Sequence, residues 1–267
     1  MTGAGGPANT DLATRSDIDF AAVELDYEAF RQLARNPHLD PHQRIGFPTA
    51  YREGAEAAIF EDILAKLPML AEAEGQRVVD IGPGCAGLPR LLIELCRQRR
   101  HTLVLADSEE MLSQLPDAPG LIIKCPGRYP DNAQAVQSAV QAGADAALCY
   151  SVFHYVFSEG NPFAFLDALV ALLRPQGRAL IGDIPNHSKR RRFFASDAGQ
   201  AFHRAFTGST QPPVAPFNVP APGKIDDAVL GGLIQRAQAA GCDAYLLPQG
   251  AGLPMANRRD DLLIARP

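Results

Sequence analysis

The stretch Arg77-Val78-Val79-Asp80-Ile81-Gly82-Pro83-Gly84-Cys85-Ala86-Gly87 constrains the fold more than any other part of the chain. Val78 and Val79 read as a short buried strand, and Asp80 sits at its end. Gly82, Gly84 and Gly87 follow, and then Leu88, Leu91, Leu92 and Leu95 repeat at helical spacing. Strand, glycine turn and helix in immediate succession make the nucleotide-binding corner of an open α/β sheet. Glycine lets backbone approach a ligand there, and the free N–H groups at the helix start face it.

The residues after this corner alternate regularly. Strand patterns at Thr102–Ala106, Leu121–Lys124, Asp145–Tyr150 and Arg178–Gly182 are separated by helix patterns at Glu109–Leu115, Ala133–Ala142 and Pro162–Leu173. Such alternation predicts a parallel sheet with helices on both faces. The end of the chain differs. A basic helix is expected over Ser188–Phe206, then a Pro-rich connection, then a helix over Asp226–Ala240 stopped by Gly241. Asp243–Leu247 and Asp261–Ala265 read as strands with no crossover helix between them, so they are expected to pair antiparallel. The whole reads as a Rossmann-like, doubly wound α/β sheet of seven strands, mostly parallel with a reversed last strand.

Residues 1–16 read as a disordered tail. Residues 17–72 read as an N-terminal helical cap, with Tyr27, Phe30, Leu33 and Ala34 at helical spacing and a second helix started by Pro48 and Thr49. The cap is too small for a core of its own. Residues 73–267 form the main domain, with a lid expected over 186–224.

The bulk numbers exclude several classes. A chain of 267 residues, 46% hydrophobic and 21% charged, is an ordinary globular composition. The net charge of -5 argues against nucleic-acid binding, which leaves a basic excess. No apolar run is long enough to span a membrane. The five cysteines form no C-x-x-C pair and read as buried thiols of a reducing cytoplasm. Nothing in their spacing, or in that of the histidines, suggests a metal site.

Gly82-Pro83-Gly84-Cys85-Ala86-Gly87 matches G-x-G-x-x-G, and Asp107 ends the next strand 20 positions after Gly87, where a carboxylate accepts from both ribose hydroxyls. Both features fit any adenosine-containing cofactor. Two details favour S-adenosylmethionine over NAD. Asp80 is an anion beside the glycines, unfavourable for a pyrophosphate and favourable for an ammonium or sulfonium. The reversed last strand is also unlike a plain dinucleotide sheet.

At this point the sequence resembles a known family. Val79-Asp80-Ile81-Gly82-Pro83-Gly84 resembles motif I of the class I S-adenosylmethionine-dependent methyltransferases. Leu105–Leu112 resembles that family's ribose-binding strand end and following helix, and Asp145–Tyr150 its fourth strand. Ser151–Tyr155 resembles the active-site turn after it, and Leu173–Arg178 the turn into strand five. The resemblance covers residues 77–267. It implies that Asp80, Gly82 and Gly84 line the methionine end of the cofactor, that Asp107 holds the ribose, and that Ser108 lies beside the adenosine. Gly127 would bring backbone near the adenine, and Tyr51 and Arg52 of the cap would close over the cofactor carboxylate. In one respect the chain departs from the family. The commoner pattern is G-x-G-x-G, whereas here Ala86 takes the third place and Gly87 comes one later, which assigns Gly87 to helix packing.

Methyl transfer from a sulfonium is an in-line displacement, so the protein mainly positions the two reactants, with a base where the acceptor must lose a proton. The acceptor belongs beyond the carboxyl ends of strands four and five. His154 and Asp183 are the candidate bases there, and Tyr155 and Asn186 the candidate contacts. In Lys189-Arg190-Arg191-Arg192, Arg190 and Arg191 are candidates to recognise an anionic acceptor. The expected function is methyl transfer to O or N of a small, anionic metabolite in the cytoplasm, with no nucleic-acid or membrane partner. The competing readings are an NAD(P)-dependent oxidoreductase and a methyltransferase-like binding protein without turnover.

Overall fold

The computed structural model describes residues 12–20, 22–46, 54–219 and 221–267. The expected helix start at Pro48 and Thr49 lies outside them, as do Tyr51 and Arg52. The chain forms two compact units that divide between Gly143 and Ala144.

The first unit runs α1 (Tyr27–Arg35), α2 (Pro41–Arg44), α3 (Glu56–Lys66), α4 (Met69–Glu72), β1 (Arg77–Ile81), α5 (Gly87–Arg99), β2 (Thr102–Asp107), α6 (Glu109–Leu112), β3 (Ile122–Pro126) and α7 (Ala133–Val140). The three strands are parallel, with Val79 opposite Val104 and Ala106 opposite Cys125. Val78, Val79, Leu103, Val104, Leu105 and Ala106 are all buried, as strands covered on both faces require. Short polar side chains start the helices. Asp26 caps α1, accepting from the Ala29 N–H at 2.7 Å. Asp40 and Gln43 form a reciprocal capping box at α2, with Pro41 in the first turn.

The second unit runs β4 (Ala144–Tyr150), α8 (Phe153–Glu159), α9 (Pro162–Leu172), β5 (Leu173–Pro185), α10 (His187–Ala195), α11 (Asp197–Thr207), α12 (Asp227–Ala239), β6 (Asp243–Pro248), a 3-10 turn at Ala256–Arg258, and β7 (Arg259–Ala265). β4 and β5 are parallel, whereas β7 runs antiparallel to both β5 and β6. The strand order of the sheet is β3-β2-β1-β4-β5-β7-β6, the mostly parallel seven-stranded arrangement with a reversed last strand.

Three local expectations are corrected. The single basic helix over Ser188–Phe206 is two helices. Ser196 is extended, ends α10, and caps α11 by accepting from the Gly199 N–H at 3.2 Å. Gly199 is required there, since a Cβ would overlap the Phe193 carbonyl. The residues after β4 form a helix, α8, rather than only a turn, and the Arg174–Gly177 turn lies within the long strand β5.

β4 and β5 touch tightly at two points, Gly177 against the Ala144 carbonyl and Gly182 against Tyr150. Gly182 pairs with Tyr150, and a Cβ on Gly182 would overlap the Tyr150 ring. Gly182→Ala is therefore expected to destabilise the protein by about 1–3 kcal/mol, the usual cost of overpacking. The urea midpoint measures this, and an unchanged midpoint would mean that the ring moves freely.

Candidate active site

The glycine corner belongs to the first unit and is built around Asp107. Gly82 and Gly84 both have left-handed backbones, with φ of 69° and 65°. The Gly82 N–H donates to the Ala106 carbonyl at 2.8 Å. The Gly84 N–H donates to Asp107 Oδ2 at 3.0 Å, and the Ser108 N–H to Oδ1 at 2.7 Å. The Asp107 carbonyl accepts from the Gly127 N–H at 2.9 Å. Asp80, Gly82, Gly84, Asp107, Ser108 and Gly127 are thus gathered at the ends of β1, β2 and β3. Ser108 has a structural task as well, because its Oγ caps α6 by accepting from the Met111 N–H at 3.3 Å.

The electrostatics of this corner are unusual. Burial, together with the Asp107 charge, pushes the Asp80 carboxyl up to about 8. Burial also pushes Asp107 up to about 6, against the two backbone N–H donors that favour its ionised form. A buried acid beside a second, charged one would be relieved by a cation and opposed by a phosphate. The residues present therefore fit an ammonium- and sulfonium-bearing group better than a dinucleotide.

Further residues border the corner. Burial, and after it the Asp107 charge, raises the phenol of Tyr27 on α1, and Arg128 stands 5.8 Å from its ring. Arg31 bonds both oxygens of Glu110 on α6, at 3.0 and 2.9 Å, and Arg35 pairs with the same carboxylate. These bonds, Arg31 first, hold Glu110 down to about 2. Ile45 covers Gly84 closely, its Cγ2 2.7 Å from where a Cβ would stand. Gly87 is the first residue of α5, whose N-cap, Ala86, offers no side-chain acceptor. The Glu56 carboxylate of α3 fills that role, accepting from the Gly87 N–H at 3.2 Å. A Cβ on Gly87 would overlap that carboxylate, so the displaced glycine has a packing reason.

The second unit has its own polar cluster at the ends of β4 and β5. Asp183 and Ser151 are both left-handed, with φ of 58° and 62°, and Ser151 Oγ donates to Asp183 Oδ2 at 2.6 Å. Non-glycine residues hold such backbones only where their surroundings impose them. Here the Asp183 N–H donates to the buried Asp261 carboxylate at 2.8 Å, and Arg259 Nη1 donates to the Asp183 carbonyl at 3.1 Å. Gln249 Nε2 reaches Asp261 at 3.1 Å and Asp183 at 3.4 Å. Gln249 and Arg259 carry no local mark, whereas Ser151 opens the stretch that resembles an active-site turn and Asp261 opens an expected strand, without either having been assigned to a site.

The remaining candidates of this unit are placed as follows. His154 and Tyr155 lie on α8 with ring centroids 3.8 Å apart. Burial, aided by the Arg259 charge, holds His154 down to about 3, and its Nδ1 has no hydrogen-bond partner among the described residues. Asn186 caps α10 and donates to both Asp227 and Asp260 at 2.8 Å. Arg190 stands 5.0 Å from the Phe194 ring, and Arg191 donates to the Val219 carbonyl at 2.8 Å. Among the described residues no helix is long and apolar enough to cross a membrane, and no cluster of three His, Cys, Asp or Glu could hold a metal.

Solved structures share this architecture. An O-methyltransferase family protein from Burkholderia thailandensis is 15% identical at a TM-score of 0.54, over 90% of this chain and 63% of its own. This chain thus spans less than two thirds of that neighbour. The plantazolicin methyltransferase BpumL, solved with S-adenosylhomocysteine and a desmethylplantazolicin analogue, is 13% identical at 0.54, over 90% of this chain and 96% of its own. The CurJ carbon methyltransferase is 15% identical at 0.51, over 90% and 64%. The chain therefore has the fold of the class I S-adenosylmethionine-dependent methyltransferases. No family model matches it. In sequence it is 31% identical over 230 residues to urease accessory protein UreD 1 of Methylorubrum extorquens (strain PA1), covering 84% of this chain and 69% of that one. By this measure it belongs to that protein's sequence family, and the accessory role is stated of that relative alone.

Asp80 gives the corner a testable signature. It keeps its proton in the folded protein where the unfolded chain has lost it. The stability it lends is full below about pH 4 and is lost as the pH rises through about 8. Asp80→Asn cannot ionise, so its melting temperature should exceed that of the parent by a margin that grows from pH 5 to pH 8. A margin independent of pH would show that Asp80 titrates normally.

Proposed function

We propose that the protein is an S-adenosylmethionine-dependent methyltransferase of the cytoplasm that methylates O or N of a small, anionic metabolite. The observation that carries this reading is the glycine corner itself: left-handed Gly82 and Gly84, the buried Asp80 before them, and the Gly84 N–H bonded to Asp107 Oδ2 at 3.0 Å. S-adenosylmethionine supplies an electrophilic methyl group on a sulfonium. Asp80 and the backbone at Gly82 and Gly84 receive its amino-acid end. Asp107 accepts from the ribose hydroxyls, and Ser108 and Gly127 border the adenosine. Tyr51 and Arg52, which lie outside the described residues, are assigned to the cofactor carboxylate.

The acceptor is handled by the second unit. An O–H or N–H acceptor gives its proton to the Asp183 carboxylate as its lone pair takes the methyl, and Ser151 keeps that carboxylate oriented. Asp183 suits this task better than His154, whose imidazole is held neutral and weakly basic. His154 Nδ1 serves as a hydrogen-bond acceptor, with Tyr155 beside it, and Asn186 is the further residue assigned to the acceptor. Arg190 and Arg191, in a lid over 186–224, meet the anionic group. The partner is a small molecule, with neither nucleic acid nor membrane involved.

A second reading, a binding protein without turnover, is favoured by the relative's name as an accessory protein. Release of adenosylhomocysteine across a panel of small carboxylates separates the two, because a binding protein forms none with any of them. Where a panel member is turned over, Asp183→Asn should lower kcat and leave cofactor affinity unchanged.

Calorimetry with S-adenosylmethionine, S-adenosylhomocysteine and NAD tests the cofactor. The first two should bind, with affinity for adenosylmethionine rising between pH 6 and pH 8 as Asp107 and Asp80 ionise. Asp107→Ala should weaken binding by about 1.5–3 kcal/mol, the scale of hydrogen bonds to a charged group. Binding of NAD alone would establish the oxidoreductase reading instead.

A further inference from the structure

We infer that Glu56 is a positioning residue for the cofactor loop, acting through the start of α5. The inference rests on the cofactor reading above. The loop from Gly82 to Gly87 carries left-handed glycines and no side-chain cap of its own for the helix it leads into. Two carboxylates from outside it take its backbone donors. Asp107 takes the Gly84 N–H at 3.0 Å, and Glu56 takes the Gly87 N–H at 3.2 Å. Glu56 belongs to α3, 31 residues before Gly87, and its Oε1 also lies 3.2 Å from His42 Nε2. One carboxylate thus ties α3 and the residues around α2 to the start of α5.

Gly87 makes this arrangement possible. Any larger residue at 87 would take the space of the Glu56 carboxylate. The negative charge also lies at the positive end of the α5 dipole, where it is favourable. The loop that must admit a ligand is therefore held by acids at Gly84 and at Gly87, one inside the cofactor corner and one outside it. Losing the outer tie frees the loop without removing any group that touches the cofactor.

The experiment is calorimetry with S-adenosylhomocysteine alongside amide hydrogen exchange on the ligand-free full chain. Glu56→Ala should weaken binding about fivefold, the worth of an N-cap of about 1 kcal/mol. Glu56→Gln, which keeps the accepting oxygen, should restore most of that loss. Gly87→Ala, which evicts the carboxylate, should weaken binding to a similar degree. The double variant Glu56→Ala with Gly87→Ala should be no worse than the poorer single one. Exchange at the Gly87 amide should quicken in Glu56→Ala while the β2 amides stay protected, which separates loss of the tie from general destabilisation. Unchanged affinity and unchanged Gly87 exchange in Glu56→Ala would overturn the inference and leave the cofactor reading standing. Additive losses in the double variant would also overturn it. Failure of the unaltered protein to bind S-adenosylhomocysteine would remove the cofactor reading and this inference together.

Discussion

Asp107 holds three strand ends together, through its carboxylate and its backbone carbonyl. One oxygen accepts from the loop after β1, the other from the residue that caps α6, and its own carbonyl accepts from the turn after β3. Each bond satisfies a backbone donor that the ends of parallel strands would otherwise leave open. Burying this acid has a cost, visible in its raised pKa, and the two N–H donors offset part of it. Asp80, one strand away and more deeply opposed, has no such donor among the causes of its shift. The corner is therefore organised by one acid that the fold already satisfies and one that it does not.

The second unit solves a similar problem differently. Asp183 is turned out of the usual backbone range by bonds to both sides of its peptide units, from Asp261 and from Arg259. Asp261 is completely buried and sits on the antiparallel strand β7, so the reversed strand contributes more than an edge to the sheet. It delivers a carboxylate that a parallel strand entering from the other end would present elsewhere.

Much of this was legible in the sequence because it is local. The strand, glycine turn and helix around Gly82, the strand end at Asp107 and the helix stop at Gly241 are each set by neighbours a few residues away. The reversed last strand was legible from a missing crossover helix. What escaped depends on distant pairs. Glu56 and Gly87, Gln249 and Asp261, and Tyr27 beside Asp107 carry no mark that short-range periodicity could show. The basic helix was read as one because Ser196 breaks it with a cap rather than with glycine or proline. The role of Gly87 followed the same rule, since packing was expected from its displacement but its partner could come only from three-dimensional contacts.

The left-handed backbones of Ser151 and Asp183 carry a consequence for how this chain tolerates change. Glycine adopts that conformation without the side-chain clash that serine and aspartate must bear. Exchange of either residue for glycine would relieve the backbone and remove the hydroxyl–carboxylate bond together, so its effect on folding is the difference of two opposed contributions.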